Sequence, residues 1–467
     1  MLRSALASWT LFFGLLLIMS GNGLQVVLLG TEATEAGFSK ITTGFVMAGY
    51  FLGIFCGSIL VPRLLDNVGH VRVFGAMAAL ASAAVLVVAA LVNPVVWALM
   101  RLLTGFCFAG MYIVCESWLN DKSTNETRGQ MLSLYMIVSM GGIAIGQLLI
   151  GAGGENSIGL FLLASVLVSV AVVPVLLSVG TAPAFEEPER MSLRRLIQVS
   201  PLAVVGLAIN GVAVSMLFGM GAVYGLSVGL SNAEVGYFMT APVIGALLLQ
   251  YPVGRLSDRF DRRVVIFGVA LMGGGAAALA TLTGRTDFAL LLVCMLFYGG
   301  SLFPLYSLFI AHANDFLTPS QMVAAASGLV MLNGAGAVLG SPLAALSLEY
   351  FGVASFFILL TIIQLLIAGF ALFRMTRRAA VPNLAQGPFV AIPESSSAIA
   401  ATLNPEAEWI PGSDEEVEDP DDGVEDQLNR PCSHGCCDHN AGTDSTTCAD
   451  DDDDDDDDDE DEEWHTV

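Results

Sequence analysis

Gly105-Phe-Cys-Phe-Ala-Gly-Met-Tyr112-Ile-Val-Cys-Glu-Ser-Trp-Leu-Asn120-Asp121 is an apolar stretch with a polar end. It returns 194 residues later as Gly299-Gly-Ser-Leu-Phe-Pro-Leu-Tyr306-Ser-Leu-Phe-Ile-Ala-His-Ala-Asn314-Asp315. The same offset carries Ser133, Gly142 and Gly146 onto Ser327, Gly336 and Gly340. Slightly earlier in each copy, Asp66 in Arg63-Leu-Leu-Asp-Asn-Val-Gly-His-Val-Arg72 has a counterpart 192 residues on, Asp258 in Gly254-Arg-Leu-Ser-Asp-Arg-Phe-Asp-Arg-Arg263. A hydrophobic chain built as two parallel copies predicts two packed halves with a site between them.

The surrounding composition says what medium those halves occupy. Of 467 residues, 55% are hydrophobic and 13% charged, and the mean hydropathy is +0.70, too apolar for a water-soluble core and surface. The formal charge of −25 is confined to one end: residues 379–467 hold 28 of the 44 acidic side chains and one base, Arg430. The remaining 16 acids face 18 bases over residues 1–378, which are nearly neutral. Of eight cysteines, Cys56, Cys107, Cys115 and Cys294 lie in apolar segments and Cys432, Cys436, Cys437 and Cys448 in the acidic tail, a distribution unlike an extracellular disulfide framework.

A span needs roughly 20 apolar residues to cross about 30 Å of hydrocarbon. Twelve stretches qualify, near 8–30, 41–62, 71–92, 95–118, 130–152, 158–180, 199–227, 234–254, 263–284, 286–311, 321–346 and 351–373. The first lacks an Ala-x-Ala type cleavage site and reads as a retained span. With the N-terminus inside, fifteen Lys and Arg residues fall on the cytoplasmic side and two, Lys40 and Arg285, on the other. Basic residues resist translocation, so both termini are expected in the cytoplasm. The stretch 183–198 reads as a polar hinge; Met191 and 193–197 can form a short amphipathic helix on the membrane, or the whole can be a solvated linker.

The loops after spans two and eight resemble the cytoplasmic signature of the major facilitator superfamily, Gly-x-x-x-Asp-Arg-x-Gly-Arg-Arg/Lys. Gly254, Asp258, Arg259, Arg262 and Arg263 match it, with Asp261 where glycine is usual. In the first copy Asp66 and Gly69 match, while Pro62, Asn67 and His70 depart from it. A tight turn whose carboxylate pairs with arginines and helix ends in one state and releases in another acts as a conformational latch. Asp66, Gly69, Arg72, Gly254, Asp258, Arg259, Arg262 and Arg263 are its candidates. Bases there also satisfy the positive-inside rule alone. With Glu116-Ser-Trp-Leu-Asn, Arg128-Gly, Gly146-Gln-Leu-Leu and Tyr251-Pro-Val-Gly, about 370 residues are most similar to bacterial YcaD-type permeases of that superfamily. The resemblance implies a permease and names no substrate.

Polar residues inside spans mark a candidate path. Arg101, several residues inside the outer boundary in Arg-Leu-Leu-Thr-Gly, either faces the path or snorkels outward. Glu116 is either a proton-coupling carboxylate or a partner of Lys122 or Arg128. Asn22, Gln25, Tyr112, Gln147, Asn210, Tyr306 and Asn333 line a cavity or bond helix to helix, and Asn22-Gly23 recurs as Asn210-Gly211. Gln147 follows Gly146 where the family's exchangers carry proline, so antiport is not indicated.

The tail from Ala379 onward loses periodicity and ends in a run of acids from Asp450 to Glu463, which predicts disorder. Cys432, His434, Cys436, Cys437 and His439 are soft or borderline ligands that suit a metal cation in type, though their compact spacing matches no closed site. The expectation is an all-α membrane protein of twelve transmembrane helices in two pseudo-symmetric six-helix halves, 1–182 and 199–378, plus a disordered acidic tail, 379–467. In a bacterial inner membrane it would move a small-molecule substrate by alternating access, with a proton as candidate coupling ion and the bilayer as its surroundings. The alternative is a non-transporting sensor or a metal exporter that uses the tail. No cofactor, nucleic-acid partner or enzymatic chemistry is expected, since no phosphate-binding glycine loop or nucleophile triad is present.

Overall fold

A computed structural model of the chain describes residues 9–124, 127–153, 157–178, 191–283, 287–377, 386–394, 396–397, 399–400 and 404. Its helices begin where the sequence supplies caps. Ser39 accepts a hydrogen bond from Thr42 N, Asn93 precedes Pro94 at the first helical position, Ser231 and Glu234 form a capping box, and Asp287 accepts from Leu290 N.

The first half comprises α1 (Trp9–Glu35), α2 (Lys40–Val68), α3 (His70–Ala90), α4 (Pro94–Asp121), α5 (Arg128–Leu148) and α6 (Ser157–Ser178). A short α7 (Leu193–Val199) precedes the second half: α8 (Pro201–Ser227), α9 (Asn232–Ser257), α10 (Arg262–Thr283), α11 (Phe288–Asn314), α12 (Pro319–Tyr350) and α13 (Ser355–Met375). All but α7 are long and apolar enough to cross a bilayer. Their outer faces are apolar: on α6, Ile158, Leu162, Val166, Val170 and Val173 recur every three or four residues and are all exposed. In the described part of the hinge, α7 packs inward: Leu196 is buried, with Gly328 of α12 leaving room for it.

The sequence repeat is a repeat of contacts. α4 packs on α2 as α11 packs on α9, and α5 packs on α1 as α12 packs on α8. A Cβ on Gly105 would collide with the Tyr50 carbonyl of α2, and one on Gly299 with the Pro242 carbonyl of α9. Gly146 meets Ser20 of α1, and Gly340 meets Val212 of α8, in the same way. Glycine recurs at these places because without hydrocarbon between them the backbones touch, and dispersion then holds helices that no hydrophobic effect drives together in lipid.

The two halves meet at the face opposite the basic loops. There Gly44 of α2 abuts Ala345 of α12, Lys40 Nζ donates to Leu348 O at 3.2 Å, Gly30 faces Ala222, and Gly236 of α9 lies against Gln147 of α5. On the basic face an extended segment lies between the halves. Within the tail expected to be disordered from Ala379 onward, the described residues include some that pack on the bundle: Ile392, Ile399 and Ala400 are buried in the same apolar cluster as the helices. Apolar side chains at 389–392 and 399–400 supply the driving force that the acidic run further on lacks.

Replacing Gly105 or Gly299 by alanine should lower stability by more than about 3 kcal/mol, since a carbonyl in a packed helix cannot yield to the new methyl. Gly268, with nothing within 4 Å of its added Cβ, should tolerate alanine with a change below about 0.5 kcal/mol. Unfolding in detergent, followed by circular dichroism, distinguishes these outcomes.

Candidate functional site

Between the halves lies a cavity. α1, α2, α4 and α5 contribute one wall, and α8, α11 and α12 the other. Its surface is mostly apolar, with Phe51, Ile54, Phe218 and Phe303 among the lining. Four of the polar exceptions, Asn22, Tyr50, Arg101 and Tyr112, lie on the first-half wall; Asn333 and Glu394 lie on the other side. Asn22 Nδ2 donates to the hydroxyls of Tyr50 and Tyr112, both at 3.0 Å. Arg101 stacks its guanidinium over the Tyr50 ring, 4.4 Å from the centroid, and donates to Gln25 Oε1 at 3.4 Å.

Arg101 is 2% exposed, so it faces protein and cavity and does not snorkel to the outer boundary. Cation–π contact and the Gln25 amide stabilise a charge that would otherwise be costly at that depth. Among the described residues, Arg101 Nε, Asn22 Oδ1 and Asn333 Oδ1 have no hydrogen-bond partner, leaving both donor and acceptor capacity around the cavity.

Asn22, Arg101, Tyr112 and Asn333 line the cavity, and Gln25 stands behind Arg101. Gln147, Asn210 and Tyr306 are fully buried elsewhere between helices. Asn22-Gly23 and Asn210-Gly211 share their glycines' role, close contact with Ile143 of α5 and Asn333 of α12, but only Asn22 reaches the cavity. Glu116 is fully buried nearer the basic face. It accepts from the Tyr135 hydroxyl at 2.7 Å and from Ser397 of the returning segment. These bonds correct the expected pairing with Lys122 or Arg128, because α5 aims Tyr135 at the carboxylate and the segment brings Ser397 to its other side.

The latch candidates divide by half. Gly69, at φ +87°, makes the one-residue turn from α2 to α3, a conformation suited to glycine, and Asp66 and Arg72 beside it are exposed. In the second half Arg262 is 1% exposed and pairs with Asp315 at 3.1 Å, while Arg263 pairs with Asp261 at 2.7 Å. Asp258 accepts from Phe389 N at 2.8 Å, Gly254 packs on the Phe389 ring, and Arg259 is exposed. The position equivalent to Arg262 is His70, buried against Trp118.

Sequence reasoning missed Tyr50, the aromatics Phe51, Phe218 and Phe303, and Glu394. A tyrosine inside an otherwise apolar span was a usable signal for Tyr50. Nothing in sequence marked Glu394, which enters the cavity from beyond the last helix. Its Oε1 accepts from Asn333 Nδ2 at 3.1 Å, and burial pushes its carboxyl up to about 8. Among the described residues no cluster of His, Cys, Asp or Glu is placed to hold a metal ion, and Cys432, His434, Cys436, Cys437 and His439 lie outside them.

Arg262→Ala should cost about 3–5 kcal/mol of stability by stranding the buried Asp315 carboxylate. Adding Asp315→Ala should recover part of that loss, and a double-mutant cycle on detergent unfolding reads the coupling.

The sequence profile of the Major Facilitator Superfamily matches residues 11–231 and 203–411. The chain is 26% identical over 323 residues to a protein of Escherichia fergusonii named as the uncharacterized MFS-type transporter YcaD, covering 68% of this chain and 82% of that one. It is 26% identical over 356 residues to YcaD of Salmonella typhimurium, covering 75% and 91%. Among solved structures, the nucleoside transporter NupG superposes with a TM-score of 0.67 at 14% identity, over 80% of this chain and 99% of that one. A bacterial homologue of the human lysosomal transporter Spinster gives 0.66 at 15%, over 80% and 97%, and the Escherichia coli fucose:proton symporter FucP 0.52 at 14%, over 79% and 99%. Twelve spanning helices in two repeated halves around a central cavity and these matches agree: the chain is a multi-pass membrane protein that belongs to the major facilitator superfamily of secondary transporters.

Proposed function

We propose that this transporter carries a small organic solute with an apolar body and a hydrogen-bonding or anionic group through the cavity between its halves. One observation carries the reading: Asn22, Tyr50, Arg101, Tyr112 and Asn333 converge on an otherwise apolar chamber at the seam of the repeat. An apolar wall selects the body of a solute, and a few convergent donors orient its polar group. Glu116, a fully buried carboxylate bonded to Tyr135, is the group we assign to the coupling proton. FucP, which shares the fold, is named as a proton symporter.

The basic face is assigned to the cytoplasm of a bacterial inner membrane, with both ends of the bundle on that side. The support is the excess of Lys and Arg in those loops. The Asp66 and Asp258 regions then lie at the cytoplasmic ends of α2 and α9, where making and releasing polar contacts would accompany rocking of the halves.

A deletion strain exposed to a panel of drugs and metabolites should show a sensitivity or growth defect that the full chain rescues. Arg101→Leu should abolish that rescue, by about 100-fold or more in transport rate, with the chain still in the membrane. Rescue by Arg101→Leu at the native level would overturn the assignment of the cavity. An epitope at the C-terminus should be cut by protease in inside-out vesicles and protected in intact spheroplasts; the reverse pattern would overturn the orientation.

A further inference from the structure

We infer that the segment described at residues 386–394, 396–397 and 399–400 is an intramolecular plug that closes the cytoplasmic mouth of the transporter and must withdraw before solute can enter or leave there. The inference rests on the proposed assignment of the basic face to the cytoplasm. Its warrant is the hydrogen bonding, which reaches both halves. On the first half, Glu116 accepts from Ser397 N at 3.0 Å and from the Ser397 hydroxyl. On the second half, Asp258 accepts from Phe389 N, Asp315 from Gly387 N at 3.3 Å, and Arg262 donates to Gly387 O at 2.6 Å. Ser307 brackets Ile392, donating to its carbonyl and accepting from its N–H, both at 3.1 Å. Asn333 then holds Glu394 inside the central cavity.

The segment thus ties together two bodies at the face where alternating access requires them to part and meet. It also engages Asp258, Arg262 and Asp315, which belong to or adjoin the second-half latch. Apolar burial of Ile392, Ile399 and Ala400 supplies the adhesion, and the directional bonds set the register. A peptide lodged across the mouth, with a carboxylate in the chamber, competes with solute for the same space.

Docking also has a pH signature. The groups around Glu394 are Asn333 of α12, Tyr298 and Tyr306 of α11, and across the chamber Tyr50 of α2 with Arg101 and Tyr112 of α4. A docked carboxyl raised to about 8 binds its proton more tightly than the same carboxyl in a withdrawn segment. Docking is therefore tightest in acid, weakens once pH exceeds the ordinary carboxylate range, and reaches its weakest as pH passes about 8.

The test uses the full chain with its eight native cysteines replaced and Ile54→Cys as a reporter on the cavity wall. A membrane-impermeant maleimide is applied to inside-out vesicles. Ser397→Asp sets a second carboxylate against Glu116, and Ile392→Asp puts a charge in the apolar contact. Both lie beyond the last helix and leave the helices' own contacts intact. Each should speed labelling at least about tenfold over the unaltered segment, the effect of losing one or two such contacts. With the native segment, labelling relative to Ser397→Asp should rise at least about tenfold from pH 6 to 8.5, and Glu394→Gln should flatten that rise. Equal labelling of all variants at every pH overturns the plug whatever the transport assay gives. Faster labelling only from the outside of right-side-out cells supports the plug and overturns the cytoplasmic assignment.

Discussion

Hydrocarbon cannot hydrogen-bond a peptide group, and every feature of this bundle follows from that constraint. Each crossing segment must satisfy its own backbone, so the crossings are helices, of which twelve among the described residues are long and apolar enough to span. Once helical, the segments have no hydrophobic drive toward one another, and close backbone contact takes its place. The glycines at 105, 146, 299 and 340 sit where neighbouring carbonyls leave no room for a Cβ. They hold the four helix pairs that define the two halves.

Within that frame the halves share their scaffold and differ in their chemistry. The repeated glycines make equivalent contacts, whereas the polar positions do not. Asn22 reaches the chamber and Asn210 does not; Arg262 pairs with Asp315, while His70 lies beside Trp118 in the matching place. A duplicated bundle needs the same backbone approach in both copies. It needs only one side of its chamber to hold a cation, and Arg101 with Tyr50 and Gln25 fills that role in the first half.

The seam between the halves is uneven. Small side chains and a Lys40 to Leu348 hydrogen bond bring α2 to α12, and α5 to α9, at the face away from the basic loops. At the basic face, carboxylates, arginines and hydroxyls on the two halves bond to the returning segment. Polar contacts at one end and close apolar packing at the other give the two mouths different energetics. The packed end resists opening through many small dispersion terms, while the polar end can exchange its partners for water.

Fold class and repeat were legible in the sequence because the bilayer imposes a length and composition on each crossing, and backbone contact imposes glycine at a fixed offset. Arg101, Asn22, Tyr112 and Asn333 were legible as polar residues at an apolar depth. Their partners were not: Glu116 faces Tyr135 and Ser397, where sequence proximity had suggested Lys122 or Arg128. Glu394 carried no signal at all, since a glutamate in an acidic tail looks like its neighbours until the chain folds back. The sequence by itself determined which segments cross the membrane and which pairs of helices can touch, because both depend on local composition and period. Only the tertiary structure decided which polar groups share the chamber and that the chain's own tail enters it, because those contacts join residues up to 281 positions apart and rest on three-dimensional fit.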